Sequence, residues 1–220
     1  MIAAVIFDID GTIVDSVDLH ARAWQTAFAK FGKEISRHRI RRQIGKGADE
    51  LLPVFFSKQE LDEFGKELDE YRSVLFEREY LPQVKGFPKV RELFQRIKRD
   101  RRRIALASSA KAEEIEIYKK ITQVDDLIES DTSSQDADKS KPHPDIFEAA
   151  LRQLPGITLD QAIVIGDTPY DAEAAAKANL QTIGLLCGGW KEKDLQQAGC
   201  IAIYKNPAGL LANYDKSPLV

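Results

Sequence analysis

Two carboxylates two residues apart, Asp8 and Asp10, follow the apolar run Val5-Ile6-Phe7 and stand directly before Gly11-Thr12. Like charges this close raise each other's pKa unless a cation or a proton lies between them. A strand end ahead of a glycine turn is also where open α/β sheets collect ligands. Such a pair can hold a divalent metal while one carboxylate attacks an anionic centre. The bland alternative is a turn whose Asp side chains only cap backbone N–H groups. Three polar segments downstream weigh against it. Ser108 and Ser109 follow Arg103-Ile104-Ala105-Leu106-Ala107. Lys141 sits in Lys139-Ser140-Lys141-Pro142-His143-Pro144-Asp145, and Asp167 and Asp171 follow Ala162-Ile163-Val164-Ile165-Gly166. Together they supply what phosphoryl transfer requires: a nucleophile, an acid, metal ligands, and donors for the phosphoryl oxygens.

These residues need strands and helices to bring them together. Residues 2–7 read as a strand buried on both faces, 103–107 as a second, Leu127-Ile128 as a third and 162–165 as a fourth; Thr182–Leu185 and Ile201–Ile203 give two more. Helical patterns fall between them, over about 88–98, 111–120, 144–154 and 172–178, with Asn179 as a left-handed stop. Strands alternating with helices predict a Rossmann-like, doubly wound parallel α/β sheet. One block breaks the alternation. From Ser16 to about residue 80 the spacing is helical throughout, with Ser57-Lys58-Gln59-Glu60 in the form of a capping box. The expected organisation is therefore a discontinuous core, residues 1–15 and 86–220, with an inserted α-helical cap over 16–85.

The 220 residues carry a net charge of −3, with 32 basic against 35 acidic side chains. This balance gives no reason to expect nucleic acid or a membrane surface as partner. The Arg99–Arg103 cluster reads as a solvated helix-to-strand turn. Cys187 and Cys200 suggest no disulfide framework, which fits a reducing compartment, the cytoplasm. No stretch approaches a membrane span, and the apolar N-terminal run is too short for a signal peptide. No exposed apolar stretch marks a partner surface, so the chain is expected to be a monomer or weak homodimer.

The four strand-end segments resemble, in order, the four motifs of the haloacid dehalogenase superfamily of phosphohydrolases, over nearly the whole chain. The helical block falls where that family inserts its first type of cap. The resemblance implies a Mg²⁺-dependent phosphatase of a small phosphorylated metabolite, working through an aspartyl-phosphate. Asp8 is then the nucleophile, and Asp10 protonates the leaving oxygen and later helps deprotonate water. Mg²⁺ lies between Asp8, the Asp10 carbonyl and Asp167, with Asp171 orienting Lys141 or a metal-bound water. Ser108 and Lys141 hold the phosphoryl oxygens, with Ser109 beside them, and Thr12 positions the loop. For Thr12 and Asp171 a purely structural capping role stays open.

Leu19-His20-Ala21-Arg22-Ala23-Trp24 resembles the cap entry of β-phosphoglucomutases and related phosphatases, where the His faces the site. His20 is either such a residue or an ordinary structural histidine, and Trp24 reads as core. Gly45-Lys46-Gly47 matches the substrate-reading cap loop, with Lys46 and Gly47 as substrate contacts or a solvated loop; Lys111 is a further candidate. Ala48-Asp49-Glu50 replaces the mutase Arg for a distal phosphate, and the mutases' adjacent Glu-Asp is absent from the fourth motif. Both departures favour hydrolysis over the alternative of a phosphosugar mutase. Asp10 argues against the dehalogenases and phosphonate-cleaving enzymes, which lack it. A metabolite-binding module that kept the fold without the chemistry is the remaining alternative. Gly188-Gly189-Trp190 resembles the phosphoglycolate-phosphatase branch and reads as core and surface.

Overall fold

Residues 1–220 are described by a computed structural model. The chain opens with β1 (Ala4–Phe7) and the short strand β2 (Val14–Asp15), then enters helices α1 (Val17–Lys30), α2 (Arg37–Arg41), α3 (Ala48–Leu51) and α4 (Lys58–Leu75). β3 (Lys85–Gly86) pairs antiparallel with β2 and returns the chain to α5 (Val90–Arg99) and β4 (Arg103–Ala107). Next come α6 (Ala112–Thr122), β5 (Ser130–Thr132), α7 (Asp145–Arg152), β6 (Ala162–Gly166), α8 (Pro169–Lys177), β7 (Gln181–Leu185), α9 (Glu192–Gln197), β8 (Ala202–Tyr204) and α10 (Pro207–Ala212).

The six long-range strands form one parallel sheet in the order β5-β4-β1-β6-β7-β8. β1 lies at its centre, with Phe7 level with Leu106 on one side and Ile165 on the other. Strand order reverses on either side of β1, so the loops after β1, β4 and β6 open into one crevice. Alternation along each strand divides the sheet's faces by side-chain size. Val5, Phe7, Ile104, Leu106, Ile163 and Ile165 face a core shared with Leu93 and Phe94 of α5 and Tyr118 of α6. Ala4, Ile6, Ala105, Ala107 and Val164 face the other way, where small side chains let α7 and α8 approach through Phe147, Ala150, Ala174 and Ala175. Each fully buried large apolar side chain contributes about 1.5–3 kcal/mol.

The segment between β2 and β3 holds no strand and carries its own core of Val17, Trp24, Phe28, Ile40, Leu51, Phe56 and Leu68 among others. Its α4 starts at the expected capping box, Ser57 with Glu60. No helix is long and apolar enough to cross a membrane.

Three expectations need correction. The third strand is Ser130–Thr132, and Leu127-Ile128 lies in the turn before it, packed beneath the core. β5 is an edge strand, hydrogen-bonded only to β4, so it does not need an apolar run on both faces. The arginine cluster is not simply solvated: Arg102 is buried and donates to Ile2 O, Asp100 and the Tyr214 hydroxyl, while Arg103 pairs with Glu129. It ties the start of β4 to both chain ends. Gly188 and Trp190 also prove to be more than core and surface, as the site geometry shows.

Candidate active site

Asp8 leaves β1 where its backbone N–H still donates to Ile165 O of β6, so the sheet itself fixes the carboxylate. The turn that follows needs Gly11, whose φ of +86° is left-handed and whose missing Cβ leaves room for Asp167. The turn returns Thr12 beneath the carboxylates. Its hydroxyl lies 2.9 Å from Asp8 Oδ2 and 3.1 Å from Asp167 Oδ1, and can donate to one at a time. Thr12 thus bridges the first and fourth strand ends and is fully buried.

Lys141 enters from the loop before α7. Its ammonium lies 2.5 Å from Asp8 Oδ1 and 2.8 Å from Asp171 Oδ1, with only 1% of the side chain exposed. Two carboxylates hold its proton firmly, so its pKa is raised despite burial. Asp171 does two jobs at once. Oδ2 accepts from the Thr168 amide and hydroxyl in the capping box that opens α8, and Oδ1 faces Lys141. Capping and orientation of Lys141, weighed as alternatives from sequence, are two ends of one carboxylate.

Burial pushes the Asp8 carboxyl up to about 7, against the pull of Lys141. Asp167 is pushed well up by burial and then by Asp8 and Asp171. The ligand oxygens of Asp8, Asp167 and Asp171 lie within 4.8 Å of one another. Asp167 Oδ2 is buried with no hydrogen-bond partner. An unpartnered buried carboxylate oxygen is costly unless a cation meets it. An all-oxygen donor set of this kind suits a hard divalent ion such as Mg²⁺. The residues present therefore fit the implied metal.

Gly188 is a site residue that sequence reasoning missed. A Cβ on it would lie 1.5 Å from Asp167 Oδ2, and one on Gly11 would lie 2.5 Å from the same oxygen. The only early signal was the Gly188-Gly189 pair itself. Gly188→Ala is expected to weaken divalent-cation binding about 10- to 100-fold by displacing that carboxylate. Calorimetric titration with Mg²⁺ checks this; unchanged affinity would show that Asp167 is free to move.

Asp10 points away from Asp8. Its Oδ1 accepts from Ser16 Oγ at 2.5 Å and from His20 Nε2 at 3.0 Å. Burial alone would raise the Asp10 carboxyl, but His20 and then Ser16 outweigh it and hold it below the usual range. His20 stacks on Phe76 at 3.9 Å and lies 3.4 Å from the Tyr118 hydroxyl. It lines the same cavity as Asp8 and Asp10.

Ser108, at the end of β4, accepts the Ala110 amide through Oγ and keeps its hydroxyl hydrogen free to donate. Ser109 Oγ is buried without a partner. Both line a cavity of about 340 Å³ that Asp8 and Asp10 also line. Trp24 belongs to the helical core and lines this cavity as well. Lys46 reaches its rim, held by Gln43 Oε1 at 2.9 Å and lying 4.6 Å over the Tyr170 ring. Lys111 is exposed at the N-terminus of α6 and lines it too. Arg72 of α4 and Glu114 of α6 line the cavity too and were not singled out from sequence. Arg72 is one turn from Leu68 and Leu75, on the buried side of its helix, which was the available signal.

The helical segment is clasped to the sheet domain by two sets of contacts, both made from residues 42–50. Gly47 N donates to Ser140 Oγ at 2.9 Å, and Ser140 N donates to Asp49 Oδ2 at 3.0 Å. Glu50 meets His143 at 3.3 Å. The loop carrying Lys141 is thus held by the residues expected to repel a distal phosphate. Five residues before Gly47, the Arg42 guanidinium lies 3.5 Å over the Trp190 ring and pairs with Asp194, while Tyr170 donates to Arg42 O. Trp190 is a docking surface for the helical segment.

The sequence profile described as haloacid dehalogenase-like hydrolase matches residues 5–185. The chain is 27% identical over 207 residues to a phosphorylated carbohydrates phosphatase of Thermotoga maritima, covering 92% of this chain and 94% of that one. It is 27% identical to a phosphoglycolate phosphatase of Colwellia psychrerythraea, over 89% of each chain. A crystal structure of a hydrolase from Pseudomonas syringae superposes with a TM-score of 0.88 at 28% identity, covering 97% of this chain and 98% of that chain.

Proposed function

The chain belongs to the haloacid dehalogenase-like hydrolases, and from that membership we propose that it hydrolyses a small phosphomonoester through an aspartyl-phosphate on Asp8. The observation that carries the reading is the convergence of Lys141, Thr12 and Asp167 on one buried carboxylate at the floor of a cavity. Relatives named as phosphatases of phosphorylated carbohydrates and of phosphoglycolate support the same chemistry.

Asp8 attacks phosphorus and the ester oxygen leaves. Lys141 and the Ser108 hydroxyl hold the phosphoryl oxygens as negative charge shifts among them. Asp171 keeps the Lys141 ammonium charged and aimed. Asp10 carries the proton. Bonded to Ser16 and His20 it is ionised, the form that takes a proton. Exchanging those bonds for the substrate lets a protonated Asp10 serve the leaving oxygen, and return to them makes it the base for the attacking water. The clasped helical segment excludes bulk water while the ester is bound and must loosen to release product.

Asp8, the Asp10 carbonyl and Asp167 would hold Mg²⁺, which supplies neutralising charge to the transferring group and favours ionised Asp8. Phosphate release from a panel of phosphorylated metabolites, with Mg²⁺ and with EDTA, tests the proposal. Release that depends on Mg²⁺ is expected. Release that persists in EDTA, or no release from any ester by folded protein, would overturn it.

A further inference from the structure

We propose that Arg72 and Glu114 read the leaving group, and that this group is uncharged and polyhydroxylated, as in a sugar or polyol monophosphate. The inference rests on the phosphatase reading and deepens it. These two side chains line the same cavity as Asp8 and Asp10, which puts them within reach of the alcohol half of the ester.

Arg72 is fixed before any ligand arrives. Its guanidinium lies 4.6 Å over the Trp24 ring, and Nη2 donates to Asp69 Oδ1 at 3.0 Å. Its Nε is buried and has no partner. Glu114 is only 7% exposed, and the ion pair that Arg72 makes goes to Asp69 and not to it. The cavity wall therefore offers a buried donor without a partner, Arg72 Nε, and a largely buried acceptor, Glu114. A hydroxyl is both donor and acceptor, and neighbouring hydroxyls on one carbon skeleton can satisfy the two groups together.

A second anion fits poorly. Apart from Asp8, Asp10 and the His20 bonded to Asp10, the cavity is lined by four carboxylates, Asp49, Asp69, Glu114 and Asp138, against three lysine or arginine side chains, Lys46, Arg72 and Lys111. Arg72 is already neutralised by Asp69, and Lys46 is turned onto Gln43 and the Tyr170 ring. The exposed Lys111 alone remains, in water and screened. A carboxylate or a second phosphate would face Glu114 without compensation. An aromatic base would find no free ring face, because Arg72 covers Trp24.

The test measures kcat/KM for hexose, pentose and polyol monophosphates, phosphoglycolate, pyrophosphate and an aryl phosphate, for the wild type, Glu114→Gln and Arg72→Met. The wild type is expected to favour the polyhydroxylated esters over phosphoglycolate and pyrophosphate by at least about 10-fold. Each substitution should lower the ratio of sugar phosphate to aryl phosphate kcat/KM by about 10- to 100-fold. Glu114→Gln should in addition raise phosphoglycolate relative to sugar phosphate. A wild type that prefers phosphoglycolate or pyrophosphate, or variants that lower every substrate by one common factor, would overturn the subsite assignment while leaving the phosphatase reading intact. A wild type that cleaves no ester, the aryl phosphate included, overturns both.

Discussion

Asp8→Asn is expected to abolish phosphate release, by on the order of 10⁴-fold or more in kcat, while the protein stays folded. An amide is no nucleophile, and it also removes one oxygen from the acidic cluster. The fold should survive because nothing about Asp8 except its charge is structural. Its backbone bond to Ile165 O remains, Asn keeps the side-chain shape, and Lys141 keeps Asp171 at 2.8 Å. The metal-free variant should melt at or above the wild-type temperature at pH 7. Burial raises the Asp8 carboxyl to about 7 in the folded state, against about 3.9 in an unfolded chain. A raised carboxyl costs stability as pH climbs from the unfolded value through the folded one, and a neutral amide is free of that cost. Phosphate release and circular dichroism melts on the two proteins check both halves. Residual turnover within 10-fold of wild type would remove Asp8 from the mechanism.

Lys141→Met carries the largest expected loss of stability. The ammonium is the counter-charge for Asp8 and Asp171 at a fully buried site beside Asp167. Removing one partner of a buried ion pair costs about 3–5 kcal/mol, because the other charge is left uncompensated. The cost should depend on pH in a stated direction. Without the lysine, the folded Asp8 carboxyl rises further above its unfolded value, so the variant keeps that proton at a pH where the wild type has released it. The deficit relative to wild type is therefore smallest and flat below about pH 7 and grows as pH climbs past it. Denaturant melts of both metal-free proteins at pH 5 and pH 8 read this directly. A deficit that is equal at the two pH values would mean that the loss comes from packing against Phe147, 5.2 Å from the ammonium, and not from charge.

These two residues were legible in the sequence because their chemistry is local. A strand, a carboxylate pair and a glycine turn follow one another within Val5–Thr12; a strand ends in glycine and carboxylates again after 165, and in two serines after 107. A parallel sheet sends every such strand end to one edge, so order along the chain becomes proximity in space. Hydrophobic period, glycine and capping signals therefore determined the α/β core, the helical block and the residues around Asp8. They misplaced the third strand, since an edge strand is fixed by its single hydrogen-bonded neighbour and the polar Ser130-Asp131-Thr132 shows no apolar run.

What only the tertiary structure decided lies where distant segments meet. Gly188 is 21 positions from Asp167 and Arg72 is 42 from Glu114, and no local rule relates either pair. Whether a charged residue on an amphipathic helix faces water or a cavity depends on what packs over it, and only folding brings α4 and α6 to line one cavity. Asp49, Glu50 and Trp190 likewise have no meaning as isolated letters. They become clasps only when folding brings Ser140, His143 and Arg42 against them. The sequence by itself determined which carboxylates and hydroxyls stand at the strand ends, because a local pattern of strand, turn and polar residue fixes that placement. The docking of the helical segment decided the shape and charge of the leaving-group wall, because that wall is built from both sides of the crevice.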